Sequence, residues 1–441
     1  MKTLSQWMLL LTACASLVAC GGGSDHPPAQ AQLRVIHASP DAPNVDVYAG
    51  GNKVLSNVPY QAASGLLTVN PGALAVKVTP TGSSTGVINA TLDLKADTLT
   101  TVVAVHEVAK IEPLVIAEAS AAPATGKARL RVVHGAATAP AVDIYITTPT
   151  ADLATTAATI PNVAFKGVSA ALEVAPADYR VRVTAAGSKT VVFDSGTLPV
   201  AAGNDLLAVA VPQANGSAPI SLLLVSRASS GNVTQVLDVN AKLRVVHASP
   251  DAPAVDVLAN GSAILSNVPF FTASSYLTVP AVNYTVALNL AGTSTQALTG
   301  SLQLAKASNV TVFAVGLAAG SPALQYLVAK DDASLPPAGQ AKVRVVHASP
   351  NAPAVDVYAN DALVLSNVAF PAVADYLKVP SGSYVFKLRA AGAAASSAPA
   401  FTSGAVTVDA GKIYTVVARG LLPNSTGNSS KDFTLSVLAD N

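Results

Sequence analysis

The chain has 441 residues, is 51% hydrophobic and only 12% charged, and balances 26 Lys and Arg against 25 Asp and Glu. A net charge of +1 excludes an extended phosphate-binding surface, because no excess of cations is present to release counterions from a nucleic acid. The length implies several domains, since single cores rarely grow beyond about 250–300 residues. Abundant Val, Thr and Ala with 29 Gly and 29 Pro predict β structure broken by frequent turns.

The first element is an address. Lys2 precedes an apolar run, Trp7 to Val18, that falls short of the roughly 20 residues a membrane-spanning helix needs, so residues 1–19 read as a removable signal segment. The run ends in Leu17-Val18-Ala19-Cys20 followed by Gly21-Gly22-Gly23-Ser24, which resembles the lipobox of bacterial lipoproteins, where the Cys becomes the acylated first residue. Leu11-Thr12-Ala13-Cys14 also fits the pattern, but it leaves too short an apolar core before it, and Cys20 is preferred. Gly21 rather than Asp after the Cys resembles lipoproteins sent on to the outer membrane. Cleavage before Cys20 leaves 422 residues with no Met and no Trp, balanced charge and Cys20 as the sole Cys. No intramolecular disulfide is then available, and the fold rests on its cores. Residues 20–32 read as a Gly/Pro-rich tether reaching about 45 Å at most.

Four copies of one unit follow. Leu33-Arg34-Val35-Ile36-His37-Ala38-Ser39-Pro40-Asp41-Ala42-Pro43 returns at Leu243 to Pro253 and at Val343 to Pro353, with a weaker copy from Leu130. The four His stand at positions 37, 134, 247 and 347, with spacings of 97, 113 and 100. A period of that size gives each unit its own core. A second landmark is Leu55-Ser56-Asn57-Val58-Pro59-Tyr60, echoed at Leu265 to Phe270, Leu365 to Phe370 and, as Ile160 to Phe165, in the second unit. There the His-to-Asn spacing is 28 rather than 20, which places an eight-residue insertion between Thr147 and Thr156. Linkers are read at Ala119 to Lys127, Ala228 to Ala241 and Lys330 to Ala341, so the units are 33–118, 128–227, 242–329 and 342–441.

Within a unit the hydrophobic period is two. Tyr179 to Val183, Tyr284 to Leu288 and Tyr384 to Leu388 alternate, and Thr101 to Val105, Val310 to Val315 and Ile413 to Ala418 form further strands. No window offers a useful amphipathic helix. The prediction is all-β: four tandem immunoglobulin-like antiparallel β-sandwiches of about seven strands each.

The motif His-Ala-Ser-Pro-Asp-Ala-Pro followed by Val-Asp-Val-Tyr is similar to the signature of the bacterial domain-of-unknown-function family numbered 4397. That resemblance covers residues 33–441, with unit two departing at Ala136, Ala137 and Thr138. It implies a secreted or envelope-attached protein with tandem domains, and it carries no activity or catalytic residue.

The recurring polar residues are the His, the Asp nine positions later and the turn acid between them. Leu33, Val35 and His37 share one strand face, opposite Arg34 and Ile36. A hairpin centred between Asp41 and Ala42 sets His37 opposite Asp46, and likewise His134 opposite Asp143, His247 opposite Asp256 and His347 opposite Asp356. The expected role is structural, a cross-strand hydrogen bond. The alternative is an oxygen-ligand calcium site from Asp41, Asn44 and Asp46, which offers few ligands against the six to eight calcium takes. One His per unit and no free Cys do not build a zinc site, so no metal or other cofactor is expected. His37, Ser39 and Asp46 lack the elbow and oxyanion loop of a Ser-His-Asp hydrolase. His106, beside Glu107, reads as a surface residue. Tyr48, Tyr145 and Tyr358 read as sheet aromatics rather than a sugar platform. The expectation is therefore a non-catalytic, lipid-anchored envelope protein, a surface spacer, adhesin or interaction array. Its partners are the membrane, through the lipid, and a protein or glycan surface, with no nucleic acid. A small-ligand or calcium-binding role for the Asp-bearing turns is the alternative.

Overall fold

The computed structural model describes residues 29–119, 121–213, 220–227, 232–422 and 431–441; the stretch 1–19 expected to be a signal segment, Cys14 and Cys20 lie outside these. In unit 1 the strands are β1 (Ala31–His37), β2 (Val45–Ala49), β3 (Asn52–Val58), β4 (Leu67–Val69), β5 (Gly72–Pro80), β6 (Ile88–Leu94), β7 (Thr98–Val105) and β8 (Glu112–Ala119). The alternation that makes β6 a half-buried strand is direct: Ile88, Leu92 and Leu94 are buried, and Asn89, Thr91 and Asp93 are exposed. Gly50 and Gly51, at φ +57° and +84°, give the β2–β3 hairpin the two left-handed residues that a tight, twist-matched turn requires.

The strands form two four-stranded sheets, β4-β1-β7-β8 and β3-β2-β5-β6, and the expected two-layer sandwich recurs in all four units. Two details of wiring differ from the sequence reading. The eight-strand partition is not the A-B-E-D over C-F-G partition of an immunoglobulin constant domain. And β1 runs parallel to β7, from Gln32 opposite Leu99 to His37 opposite Ala104, so one sheet of each unit is mixed. The expected β1–β2 hairpin does not form. β1 and β2 lie in different sheets, and the segment between them, stiffened by Pro40 and Pro43, carries the chain across the sandwich.

Unit 2 has a ninth strand. Val233–Val236 pairs with Ile220–Ser226, Thr234 opposite Leu224, within the stretch 228–241 read from sequence as linker. The outer strands also overrun the expected unit limits: β1 begins at Ala31, inside the tether read at 20–32, and Gln325–Asp331 ends inside the expected third linker.

Each sandwich holds its own apolar core, centred on Val35, Val47, Val78 and Val102 in unit 1 and on Val245, Val257, Leu288 and Val312 in unit 3. The sheet containing β1, however, is buried on both faces. Ile36, Val103 and Val105, on the face away from that core, pack against Val133, Val209 and Leu223 of unit 2. Val246, Phe313 and Val315 of unit 3 pack in the same way against Val346 and Val417 of unit 4. The four units are therefore two face-to-face pairs, each with a third core between its members.

The 3–4 interface is symmetric in its polar contacts. Arg244 of unit 3 reaches Asp440 of unit 4 at 2.6 Å, and Arg344 of unit 4 reaches Asp331 of unit 3. Each guanidinium also bonds a Thr on its own sheet, Thr311 at 3.0 Å and Thr415 at 2.8 Å. Each lies 4.7 Å from a Tyr ring centre, that of Tyr276 or Tyr376, and these Tyr hydroxyls donate to Asp331 and Asp440, both at 2.7 Å. In the 1–2 pair only half of this survives. Arg131 meets Glu118 at 3.0 Å, but register places Arg227 where unit 3 has Asp331. Arg34 is 2% exposed, and its Nε and Nη2 have no hydrogen-bond partner.

Candidate functional site

The recurring His is built into the β1 end of each unit and is committed to its own backbone. His37 Nε2 lies 3.2 Å from the Pro43 carbonyl, and the equivalent distances are 3.0 Å for His134 to Pro140, 3.0 Å for His247 to Pro253 and 3.3 Å for His347 to Pro353. A carbonyl only accepts, so Nε2 carries the proton. Nδ1 accepts from the backbone N–H two residues on, at 3.4 Å for Ser39, 3.3 Å for Ala136 and 3.3 Å for Ser249. In units 1 to 3 the ring is thus held as the neutral Nε2–H tautomer, bracing the loop that crosses between sheets, whereas His347 Nδ1 has no such partner. It also lies edge-on to an aromatic from the second landmark: Tyr60, Phe165, Phe270 or Phe370.

The His–Asp bond expected from sequence is absent, because the two residues sit in different sheets. The Asp instead organises the second landmark. Asp46 Oδ1 accepts from the Asn57 N–H at 2.9 Å, and Asp143, Asp256 and Asp356 accept from Asn162 at 2.7 Å, Asn267 at 2.7 Å and Asn367 at 2.8 Å. Those four Asn all have φ between +52° and +55°, a left-handed conformation that Asn tolerates better than most residues. In units 2 to 4 the other carboxylate oxygen takes the N–H of Gly187, Gly292 or Gly392. In unit 1 Asp46 instead accepts from Lys53 Nζ at 2.7 Å. The Lys53 ammonium and then the Asn57 amide hold its carboxyl down at about 2.

The turn acid does a third job. Asp41 Oδ1 accepts from Val108 N at 2.7 Å, Asp251 from Ala318 N at 2.8 Å and Ala319 N at 3.0 Å, and Asn351 Oδ1 from Leu422 N at 2.8 Å. It ties the crossing loop to the loop after the β7-type strand. The calcium alternative draws no support from this geometry. Asp41 and Asp46 bind different segments, Asn44 bonds Asn57 at 2.9 Å, and no cluster of three metal-ligating His, Cys, Asp or Glu occurs among the described residues. A Ser-His-Asp relay draws none either: Ser39 is fully buried, His37 accepts its backbone N–H rather than its hydroxyl proton, and Asp46 faces elsewhere.

His106 is not a free surface residue. Its ring sits 5.7 Å from that of Phe165 in unit 2, at the 1–2 interface. The Tyr faces are covered by cations, Lys77 4.8 Å from the Tyr48 ring centre, Lys189 4.8 Å from Tyr145 and Arg389 4.6 Å from Tyr358, so none is open for stacking on a sugar. The sequence reading missed Arg34, Arg131, Arg244 and Arg344 as contact residues. Their signal was present, an Arg three positions before every His inside an otherwise apolar run.

The neutral His state has a consequence for pH. Burial pulls His37, His247 and His347 below the ordinary imidazole value, partly opposed by the Pro carbonyls. Below the unfolded value of about 6.5 the unfolded chain binds protons that the folded chain refuses. Stability is therefore full above that pH and falls as pH drops through it, whereas the Asp46 contribution holds until the pH falls below the unfolded carboxylate value of about 3.9. Melting temperature is expected to fall steadily from pH 7.5 to pH 5; a flat profile across that window would refute the neutral assignment.

Among the described residues no helix is long and apolar enough to cross a membrane. No curated protein matches the chain. Two solved structures show only remote likeness. The Bacillus anthracis TIE protein is 11% identical over 89% of this chain and 68% of its own, with a TM-score of 0.15. The product complex of a multi-modular glycogen-degrading pneumococcal virulence factor, SpuA, is 8% identical over 60% of this chain and 37% of its own, with a TM-score of 0.14. Neither superposes well enough to support an argument. The family model described as "Domain of unknown function (DUF4397)" matches residues 31–145, 241–358 and 341–441. The first two matches each run past one unit into the opening strands of the next, and most of unit 2 lies outside them. With more than half of its residues matched, the chain belongs to the DUF4397 family.

Proposed function

We infer that this is a lipid-anchored protein of the cell envelope, probing or spacing a surface with paired, non-catalytic β-sandwiches, and that Cys20 carries the lipid. One observation carries the non-catalytic part: the His and Asp that recur in every unit are held by backbone groups of that unit, and the Ser beside the His is fully buried in units 1, 3 and 4 and replaced by Ala136 in unit 2. Near-zero net charge and many Ser, Thr and Asn suit a surface that meets a protein or glycan partner through weak contacts. Units tethered together multiply such contacts by raising effective concentration.

Cys20→Ala is expected to move the protein from the membrane fraction to the soluble fraction and to abolish incorporation of labelled palmitate. Cys14→Ala is expected to change neither. Membrane retention of the Cys20→Ala protein would overturn the anchor.

A further inference from the structure

Unit 2 departs from unit 3 inside its sandwich. Its two sheets enclose a cavity of about 340 Å3, whereas the corresponding void in unit 3 is about 10 Å3. Register explains the difference. Ala208 stands beside Val132 as Val312 stands beside Val245, and Leu222 opposes Ala210 as Tyr326 opposes Ala314. Two side chains that fill unit 3 are thus shorter in unit 2. Protein interiors seldom leave such space empty.

The shape of the cavity follows the strands that line it. Leu206, Ala208 and Ala210 line it along one sheet, and Tyr179, Val181 and Val183 along the other. From Asn204 to Ala210 the strand advances about 20 Å at roughly 3.3 Å per residue, so the cavity is long and narrow. Most polar groups gather at one end, where Asn204, Ser226, Asn232 and Thr234 contribute to the wall, with His134 at the other end beside Ala210. Thr234 belongs to the ninth strand, Val233–Val236, which pairs in this way in unit 2 alone among the described residues. Among the described residues no Lys, Arg, Asp or Glu lines the cavity. An apolar volume above about 300 Å3 with a few polar groups is characteristic of a ligand site, and an engineered void of less than half this size already takes up benzene.

The geometry points to a binding site in unit 2 for a single extended hydrocarbon chain with an uncharged, hydrogen-bonding end group. The chain lies between the sheets and its end group meets Asn204, Asn232 and Thr234. The site is independent of the spacer reading and of the anchor.

The full chain carrying Cys20→Ala, titrated with the uncharged fluorophore N-phenyl-1-naphthylamine, is expected to enhance its emission, and monolauroylglycerol is expected to displace it. The double substitution Ala208→Val and Leu222→Tyr restores the side chains of unit 3. It is expected to weaken fluorophore binding at least tenfold while raising the melting temperature. Should that variant unfold, Ala208→Val alone reads the same effect at smaller size. A second arm incubates the protein with phosphatidylethanolamine and phosphatidylglycerol vesicles and extracts it after gel filtration. Recovery of these two-chained, charged lipids would overturn the assignment to a single chain with an uncharged end group, whereas binding of monolauroylglycerol without such recovery supports it. No binding by the wild type, or undiminished binding by the filled variant, overturns the site.

Discussion

Arg344→Met is expected to destabilise the second pair of units by about 3–5 kcal/mol, the usual cost of removing one partner from a buried ion pair. Arg34→Met, at the equivalent place in unit 1, is expected to be neutral or stabilising. The chemistry of the two substitutions is identical, so the difference isolates the surroundings. Arg344 and Asp331 are 1% and 2% exposed, and the Asp331 carboxylate lies among the Arg344 guanidinium, the Tyr276 hydroxyl at 2.7 Å and the Thr311 hydroxyl at 2.7 Å. Without Arg344 a buried carboxylate keeps two neutral donors and only the charge of Arg244, which is paired directly with Asp440 instead. Arg34 is equally buried, but Arg227 faces it where an acid stands in the other pair. Burial lowers its pKa, a pull from Glu118 opposes this, and the Arg227 repulsion adds to the lowering against a smaller pull from Asp205; two of its nitrogens have no hydrogen-bond partner. Replacing such a group by an apolar one removes a desolvation cost instead of adding one. Urea unfolding of the full chain followed by circular dichroism measures both, the second pair appearing as its own transition. Arg344→Met combined with Asp331→Leu should recover much of the loss, because neighbouring groups that share an interaction are not additive. Equal losses for Arg344→Met and Arg34→Met would contradict the account.

The fold class was legible because a sandwich strand advertises itself locally: Ile88 to Leu94 alternates, and the His and Asn landmarks repeat at domain spacing. Sheet membership was not. Nine residues from His37 to Asp46 are compatible with a hairpin or with a crossing between layers, and only the parallel pairing of β1 with β7, about 65 residues away in sequence, decides between them. The Asp–Asn clamp escaped notice for the same reason, although both halves had been singled out separately. The third core left a trace that period-two reasoning discards. Thr98–Val105 is buried at every position after its first, and near-continuous apolar runs of this kind mark strands covered on both faces. The ninth strand of unit 2, Val-Thr-Gln-Val, is too short to stand out from its surroundings by composition. The cavity is invisible without register, because Ala208 and Leu222 are unremarkable core residues until they are set against Val312 and Tyr326.

The paired architecture predicts the behaviour of one unit taken alone. Residues 239–334, expressed by themselves, are expected to form a homodimer rather than a folded monomer. Separation from unit 4 uncovers Val246, Phe313, Val315 and Ala329, which are at most 2% exposed in the intact chain, and a contiguous apolar face of that kind drives association. The partner it needs is already encoded in unit 3 itself. Arg244 binds Asp440, and Asp440 is the unit 4 counterpart of Asp331. A second copy of unit 3 turned about a two-fold axis therefore offers Asp331 to Arg244 twice, an isologous contact in which one patch complements itself. Light scattering after gel filtration should give twice the mass of the fragment. Arg244→Asp should yield monomer or unfolded chain, because it sets acid against acid at both ends of the interface. Adding Asp331→Arg to that variant should restore the dimer with the charges exchanged. The longer fragment 239–441, in which unit 4 already covers the face, should stay monomeric. A well-folded monomer of residues 239–334 at high concentration would mean that the sandwiches are self-sufficient, and that the core between them contributes little to holding the chain in pairs.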